Sequence, residues 1–164
     1  MVLKYVWAFL FGLVFLYVQL LLMPGLALGG VIPNILLAWL IFNIWSKPTG
    51  VSSVSAFLIG IMYDTTLPST FGMNTLIFVL LCVIIDLFRK PFEVDSIVAK
   101  ILTLVIGNLV YAVIMHLIMG LGFGFTGELF RLVLISFAYN LGLSFVVFWA
   151  MTFLSKLRLC IVND

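Results

Sequence analysis

Residues 97–119 read IVAKILTLVIGNLVYAVIMHLIM, 23 residues in which the one formal charge is Lys100. At 1.5 Å per residue a helix of that length covers about 35 Å, more than the roughly 30 Å of hydrocarbon in a bilayer. The run is apolar on all sides, without the alternation of a membrane β-strand. Backbone amides in lipid have no water partner, so such a run must close its own hydrogen bonds as a helix.

Working outward, one more apolar run covers residues 129–154. Four others cover residues 5–23, 28–45, 51–63 and 74–88, separated by turn signals such as Pro24-Gly25 and Ser46-Lys47-Pro48-Thr49-Gly50. The chain is 65% hydrophobic and 9% charged, with a mean hydropathy of +1.37. A soluble domain carries about 25% charged residues, so this surface must face lipid. The expectation is an all-α membrane protein, a bundle of about six transmembrane helices forming one polytopic domain over residues 1–164. It leaves no room for a soluble catalytic or nucleotide-binding module. The first run follows Lys4 as a signal peptide would, but no small-residue cleavage site precedes Pro24, and it reads as a retained helix.

Charge placement sets the orientation. With six spans and both termini on one side, Lys4, Lys47, Arg89, Lys90, Lys100, Lys156 and Arg158 share that side and Arg131 lies on the other. The positive-inside rule puts both termini in the cytoplasm. Phe92, Val94 and Ile97 form a short interfacial segment. The basic turns at Lys47 and Arg89-Lys90 are expected to face anionic lipid or cytoplasmic partners. The segment 120–127, glycine-rich with Phe123 and Phe125, reads as an outer loop.

The third and fourth runs are short for the bilayer, so the segment from Asp64 to Asn74 is expected to dip into it. Irregular backbone at that depth survives only when buried in protein or facing a cavity. Asp64 sits just before the start of the fourth helix, whose first N–H groups lack intrahelical partners. Its carboxylate is expected to accept hydrogen bonds from amides near Thr70 to Asn74 and to hold this hairpin together.

Other polar residues read as packing groups. Ser52, Ala56 and Gly60 recur every four residues on the third helix, as Ala8 and Gly12 do on the first, so helix backbones can approach closely. Asn108 and His116 share a face of the fifth helix, and His116 is expected to hydrogen-bond across helices to Asn140 or Tyr139. Gln19, Asn34, Asn43 and Asn140 read the same way, and Asp86 pairs with Arg89 and Lys90. Trp7 and Trp45 fall near the basic interface as belt residues. Cys82 in an apolar run and Cys160 in the tail make neither a disulfide framework nor a metal site. No zinc, nucleophile-elbow or phosphate-loop motif occurs, so no catalytic residue, cofactor, metal or nucleic-acid partner is expected.

Three stretches carry a family resemblance: Pro33-Asn34 opening the second helix, which ends at Trp45 before a basic turn; Gly60-Ile-Met-Tyr-Asp64; and Pro68-Ser-Thr-Phe-Gly72-Met-Asn74 leading into the fourth helix. Together they resemble the rod shape-determining MreD family, whose pattern has a Gly-x-x-x-Asp helix end and a Ser-x-x-Gly turn. Position 74 often holds another residue in that family. The resemblance implies a non-catalytic scaffold in the bacterial inner membrane, a part of the elongasome (Rod complex) that guides side-wall peptidoglycan synthesis and cell shape. It implies pairing with MreC, here through a lipid-facing groove of small and aromatic residues. Through MreC it implies links to RodA, a class B penicillin-binding protein, RodZ and MreB. Pro33, Asn34, Gly60, Asp64, Pro68, Gly72 and Asn74 would then be architectural. The fold is expected to be similar to the S-component of energy-coupling-factor transporters. That leaves a vitamin-binding transporter subunit as the alternative, with Ala8 and Gly12 as its docking face.

Overall fold

A computed structural model describes the backbone of residues 2–92 and 96–162, and the side chains of residues 3–92 and 96–156. Val94, and the side chains of Arg158 and Cys160, lie outside the described residues. Six α-helices follow one another: α1 (Val2–Leu21), α2 (Ile35–Ser46), α3 (Thr49–Asp64), α4 (Met73–Arg89), α5 (Ile97–Phe123) and α6 (Gly127–Val162). Short 3-10 turns at Met23–Leu26 and Pro68–Thr70 join α1 to α2 and α3 to α4.

Three helical stretches are long and apolar enough to cross a bilayer: Leu3–Leu21, Ile97–Phe123 and Gly127–Lys156. The other helices are shorter. The 12 residues of α2 cover about 18 Å. The outer faces carry exposed apolar side chains such as Tyr17, Leu76, Leu109 and Phe145, the surface a lipid-embedded bundle requires.

The second apolar run begins at Leu28, yet helix begins at Ile35. The reason is local. Gly29 and Gly30 take φ of +60° and +83° in a turn closed by a Leu28–Val31 bridge, and Pro33 has no N–H to give. Asn34 is the N-cap, its side chain accepting from Leu36 N at 3.1 Å. The helix that follows forms the centre of the molecule. All its residues from Ile35 to Ile41 are buried, and Trp39, Leu36 and Leu40 lie in one core with Phe78 of α4 and Phe148 of α6.

Small residues set the closest approaches. A Cβ added at Gly60 would lie 2.7 Å from the Thr75 Cα, so α3 and α4 touch backbone to backbone there. A Cβ at Gly12 would lie 2.7 Å from the Trp39 ring and 2.8 Å from Ile59 Cγ1. Ala8, Ser52 and Ala56 are fully buried. Ala8 and Gly12 are thus packed against the rest of the bundle. Their small size is used inside the bundle.

Between the fifth and sixth helices there is little loop. Gly120 and Gly122 stay helical, and α5 ends at Phe123, capped by Gly124 at φ +89°. Three residues, Gly124 to Thr126, complete the turn before α6. An apolar surrounding lets glycine continue a helix, because no other partner competes for its amide. Gly120 also makes room for the Phe125 ring, which folds back onto α5.

The ends of the bundle differ in character. Trp45, Lys47, Arg89, Lys90 and Lys100 gather where α2 and α4 end and α3 and α5 begin. The opposite, far end holds the α1–α2 segment, the α3–α4 turn, the end of α5 and the start of α6.

Candidate functional site

The short α2 leaves backbone groups unsatisfied inside the bundle, and polar side chains from other helices satisfy them. Gln19 of α1 donates Nε2 to the Pro33 carbonyl at 3.0 Å and accepts from Ile35 N at 2.8 Å. Asn140 of α6 accepts from Asn34 N at 2.8 Å, and Asn34 donates to the Tyr111 hydroxyl of α5 at 3.2 Å. Four helices thus meet at one polar junction. An unmade bond here would leave a buried donor or acceptor without water.

A second junction adjoins it. The Asp64 carboxylate is fully buried at the end of α3. Its Oδ1 accepts from Asn74 N at 3.2 Å and Asn74 Nδ2 at 2.9 Å; its Oδ2 accepts from Thr75 N at 2.9 Å and the Thr75 hydroxyl at 2.6 Å. Gly72 is the N-cap of α4, with φ +87° and no side chain to cap with, so Asp64 caps the helix from a neighbouring element. The partial positive charge of the helix start favours the carboxylate there. Asn74 contributes through its side chain as well as its amide, a role that the variable family position did not suggest.

Above these junctions, the far end opens into a cavity of about 530 Å³. Asn34, Asn74, Asn140 and Tyr111 line it from below, with Ser69, Thr70 and Ser136 at its sides. Met115, Met119, Leu129 and Val133 supply apolar wall, and no lining residue is charged. The volume lies in the usual range for ligand sites, about 300–1,000 Å³. The lining can hydrogen-bond uncharged donors and acceptors and bury apolar groups. It contains no pairing of nucleophile and base.

The residues singled out from the sequence divide by location. Asn34, Asn74 and Asn140 reach the cavity. Asp64 and Gly60 stand behind it, fastening α3 to α4, and Pro33, Pro68 and Gly72 shape the backbone of its surround. Asn108 lies elsewhere on α5, donating to Leu104 O of its own helix at 2.9 Å and accepting from Ser144 at 3.4 Å. Ser52 donates to the Asn43 carbonyl at 3.0 Å, tying α3 to α2 at the basic end.

His116 departs from expectation. Its Nδ1 is buried with no partner among the described residues, and its ring lies against Phe125 and Phe130, with centroids 5.5 and 6.0 Å apart. Asn140 is occupied by Asn34 and Ser136, and Tyr139 donates to the Leu26 carbonyl. Both expected partners are thus taken by other groups. Thr75 carries no capping signal in the sequence, since it lies inside the first turn of α4 with Gly72 as N-cap; only the fold shows its hydroxyl meeting Asp64. Ser69, Thr70 and Ser136 carry no pattern that marks them; only their convergence does.

Comparison with known proteins gives one family. The family model described as rod shape-determining protein MreD matches residues 1–157. No curated protein matches. No solved structure matches.

Proposed function

We propose that this chain, which belongs to the MreD family of rod shape-determining proteins, is a non-catalytic scaffold of the elongasome that holds MreC at the cavity of the far end. Family membership gives it a role in rod shape determination, and its long apolar helices make it a membrane protein. The finer reading takes the basic end, with both termini, as cytoplasmic in the inner membrane. The chain then crosses six times, with the irregular segments before α2 and between α3 and α4 completing the short spans, and the cavity faces outward.

The uncharged lining of that cavity is the observation that carries the reading. MreC, as the resemblance implies, crosses the membrane once and carries its folded domain outside. Its chain must therefore leave the bilayer on the side where the cavity opens. A peptide segment emerging from lipid presents apolar side chains and backbone amides, and the cavity supplies apolar wall beside Ser69, Thr70, Asn140 and Ser136. Links to RodA, the class B penicillin-binding protein, RodZ and MreB would run through that contact.

One observation favours a second reading. The cavity volume also suits a vitamin-sized ligand, as in the S-component of an energy-coupling-factor transporter. The burial of Ala8 and Gly12 speaks against it, because the small-residue docking face on α1 is used within the bundle. Co-purification with MreC from the same cells in mild detergent separates the two. Stable recovery of MreC without a bound small molecule supports the scaffold. Recovery of the chain alone with a tightly held organic ligand favours the transporter subunit.

A further inference from the structure

Asn74 lines the far-end cavity although the residue is only 3% exposed. Its orientation is fixed by its neighbour. An ionised carboxylate only accepts hydrogen bonds, so the Asn74 Nδ2 must face Asp64, to which it donates at 2.9 Å. The Asn74 Oδ1 is left on the other side of the amide, with no donor among the described residues. It is not closed off in the core, and the residue borders the cavity. An acceptor so placed is costly until a donor reaches it.

Two hydroxyl groups on the same lining complement it. Tyr111 accepts from Asn34 Nδ2 at 3.2 Å, and Ser136 accepts from Asn140 Nδ2 at 3.2 Å. Each hydroxyl also carries a proton, and neither proton has an acceptor among the described residues. The floor therefore offers an acceptor from α4 and donors from α5 and α6, all uncharged.

We propose that this floor is a carboxamide site, taking the primary amide at the tip of an apolar stem. The amide is the side chain of a glutamine or asparagine in the MreC segment, an assignment of its source that rests on the reading of this cavity given above.

The chemistry separates the amide from its competitors. A primary amide carries N–H donors for Asn74 Oδ1 and a carbonyl for the two hydroxyl protons, side by side at one tip. A trans backbone amide points its N–H and C=O to opposite sides of the chain and cannot bring both to one floor. An alcohol would have to reach groups on three helices through a single atom. A carboxylate has no donor for Oδ1 and adds negative charge beside Asp64. An ammonium has no acceptor for the hydroxyl protons, and Asp64 is fully buried with both oxygens already taken, so it has no surface with which to pair. Met115, Met119 and Val133 give apolar wall for a methylene stem. The volume of about 530 Å³ suits a drug-sized ligand rather than one side chain, so neighbouring residues of the segment enter with the amide.

The site chemistry is tested by saturation-transfer NMR on the full chain in detergent. The probes are pentanamide, pentanoate, pentylammonium and pentan-1-ol, which share one carbon chain length. The quantity read is the signal lost in Ser136→Trp, which fills the cavity and leaves contacts with the micelle in place. Pentanamide should lose signal on the order of tenfold, and the other three probes should lose little. Equal losses for pentanamide and any other probe, or no loss for pentanamide, would overturn the carboxamide site.

The source is tested separately in cells. A benzoyl-phenylalanine crosslinker placed at Leu129, in the cavity wall, should attach to MreC. The attached stretch should hold a Gln or Asn whose replacement by Glu or Lys lowers MreC recovery on the order of tenfold. Attachment through a stretch without Gln or Asn would overturn the inference and leave the scaffold reading standing. Failure to attach MreC, with pentanamide still bound, would end the scaffold reading and the side-chain source together, in favour of a free amide solute.

Discussion

The Asp64 carboxylate at the end of α3 accepts both the backbone N–H and the hydroxyl of Thr75 in the first turn of α4, at 2.9 and 2.6 Å. The same region brings the Thr75 Cα within 2.7 Å of where a Gly60 Cβ would stand. A close backbone approach and a buried cap therefore hold the same pair of helices at one level. Without the cap, the start of α4 would carry unpaired amides in a place water does not reach.

Replacing Asp64 with Ala should lower stability by about 3 kcal/mol, since several buried donors lose their acceptor at once. Asp64→Asn should recover part of the loss, because one amide oxygen still accepts. Thermal unfolding of the purified chain in detergent measures both, and a shift below about 0.5 kcal/mol for Asp64→Ala would refute the capping role.

Gly60→Ala should destabilise by about 2 kcal/mol, because the new methyl group meets main chain rather than a flexible side chain. Gly122, also helical, has nothing within 4 Å of an added Cβ. Gly122→Ala should therefore be neutral or stabilising by up to about 1 kcal/mol. Similar losses at both positions would show that the α3–α4 approach is not the cause.

Gln19→Leu removes the donor to the Pro33 carbonyl and the acceptor for Ile35 N. Hydrogen exchange at the Ile35 amide should quicken by about tenfold or more, equivalent to about 1.4 kcal/mol of local opening, while amides in the middle of α5 keep their protection. Uniform loss of protection through the chain would instead mean global destabilisation.

Ser136→Trp places an indole in the far-end cavity from a half-buried position on α6. Capture of MreC should fall by at least tenfold with the melting temperature little changed. Undiminished capture would move the MreC contact away from this cavity.

His116→Phe exchanges a buried, unpartnered ring nitrogen for carbon between Phe125 and Phe130. Stability should stay the same or rise by about 1 kcal/mol, as no hydrogen bond is broken and a desolvated polar atom is removed. A loss above 1 kcal/mol would reveal a partner for the imidazole.

Reading the sequence was most informative where one physical constraint dominates. Residues 97–119 and 129–154 are too long and too apolar for anything but bilayer helices, and α5 and α6 include them. Asp64 stood out because an isolated carboxylate among apolar runs must find donors nearby. Periodicity and composition misled where tertiary contacts compete. The apolar run that opens at Leu28 reads as helix, yet Gly29, Gly30 and Pro33 delay the helix to Ile35, and Gln19 and Asn140 satisfy the backbone groups left free there. The glycines at 120 and 122 look like loop, but the apolar setting keeps them helical.

Composition and charge alone determined that this chain is helical, lies in a membrane and has one strongly basic end, because hydrocarbon tolerates no unpaired backbone and few charges. Which polar groups meet was decided only by the tertiary structure. Asn34 and Asn140 are 106 positions apart, and nothing in either local sequence names the other. Their contact exists because α2 is buried among the other helices, and the same packing opens a cavity above the polar junction. A linear pattern records which side chains need partners; the folded bundle chooses them.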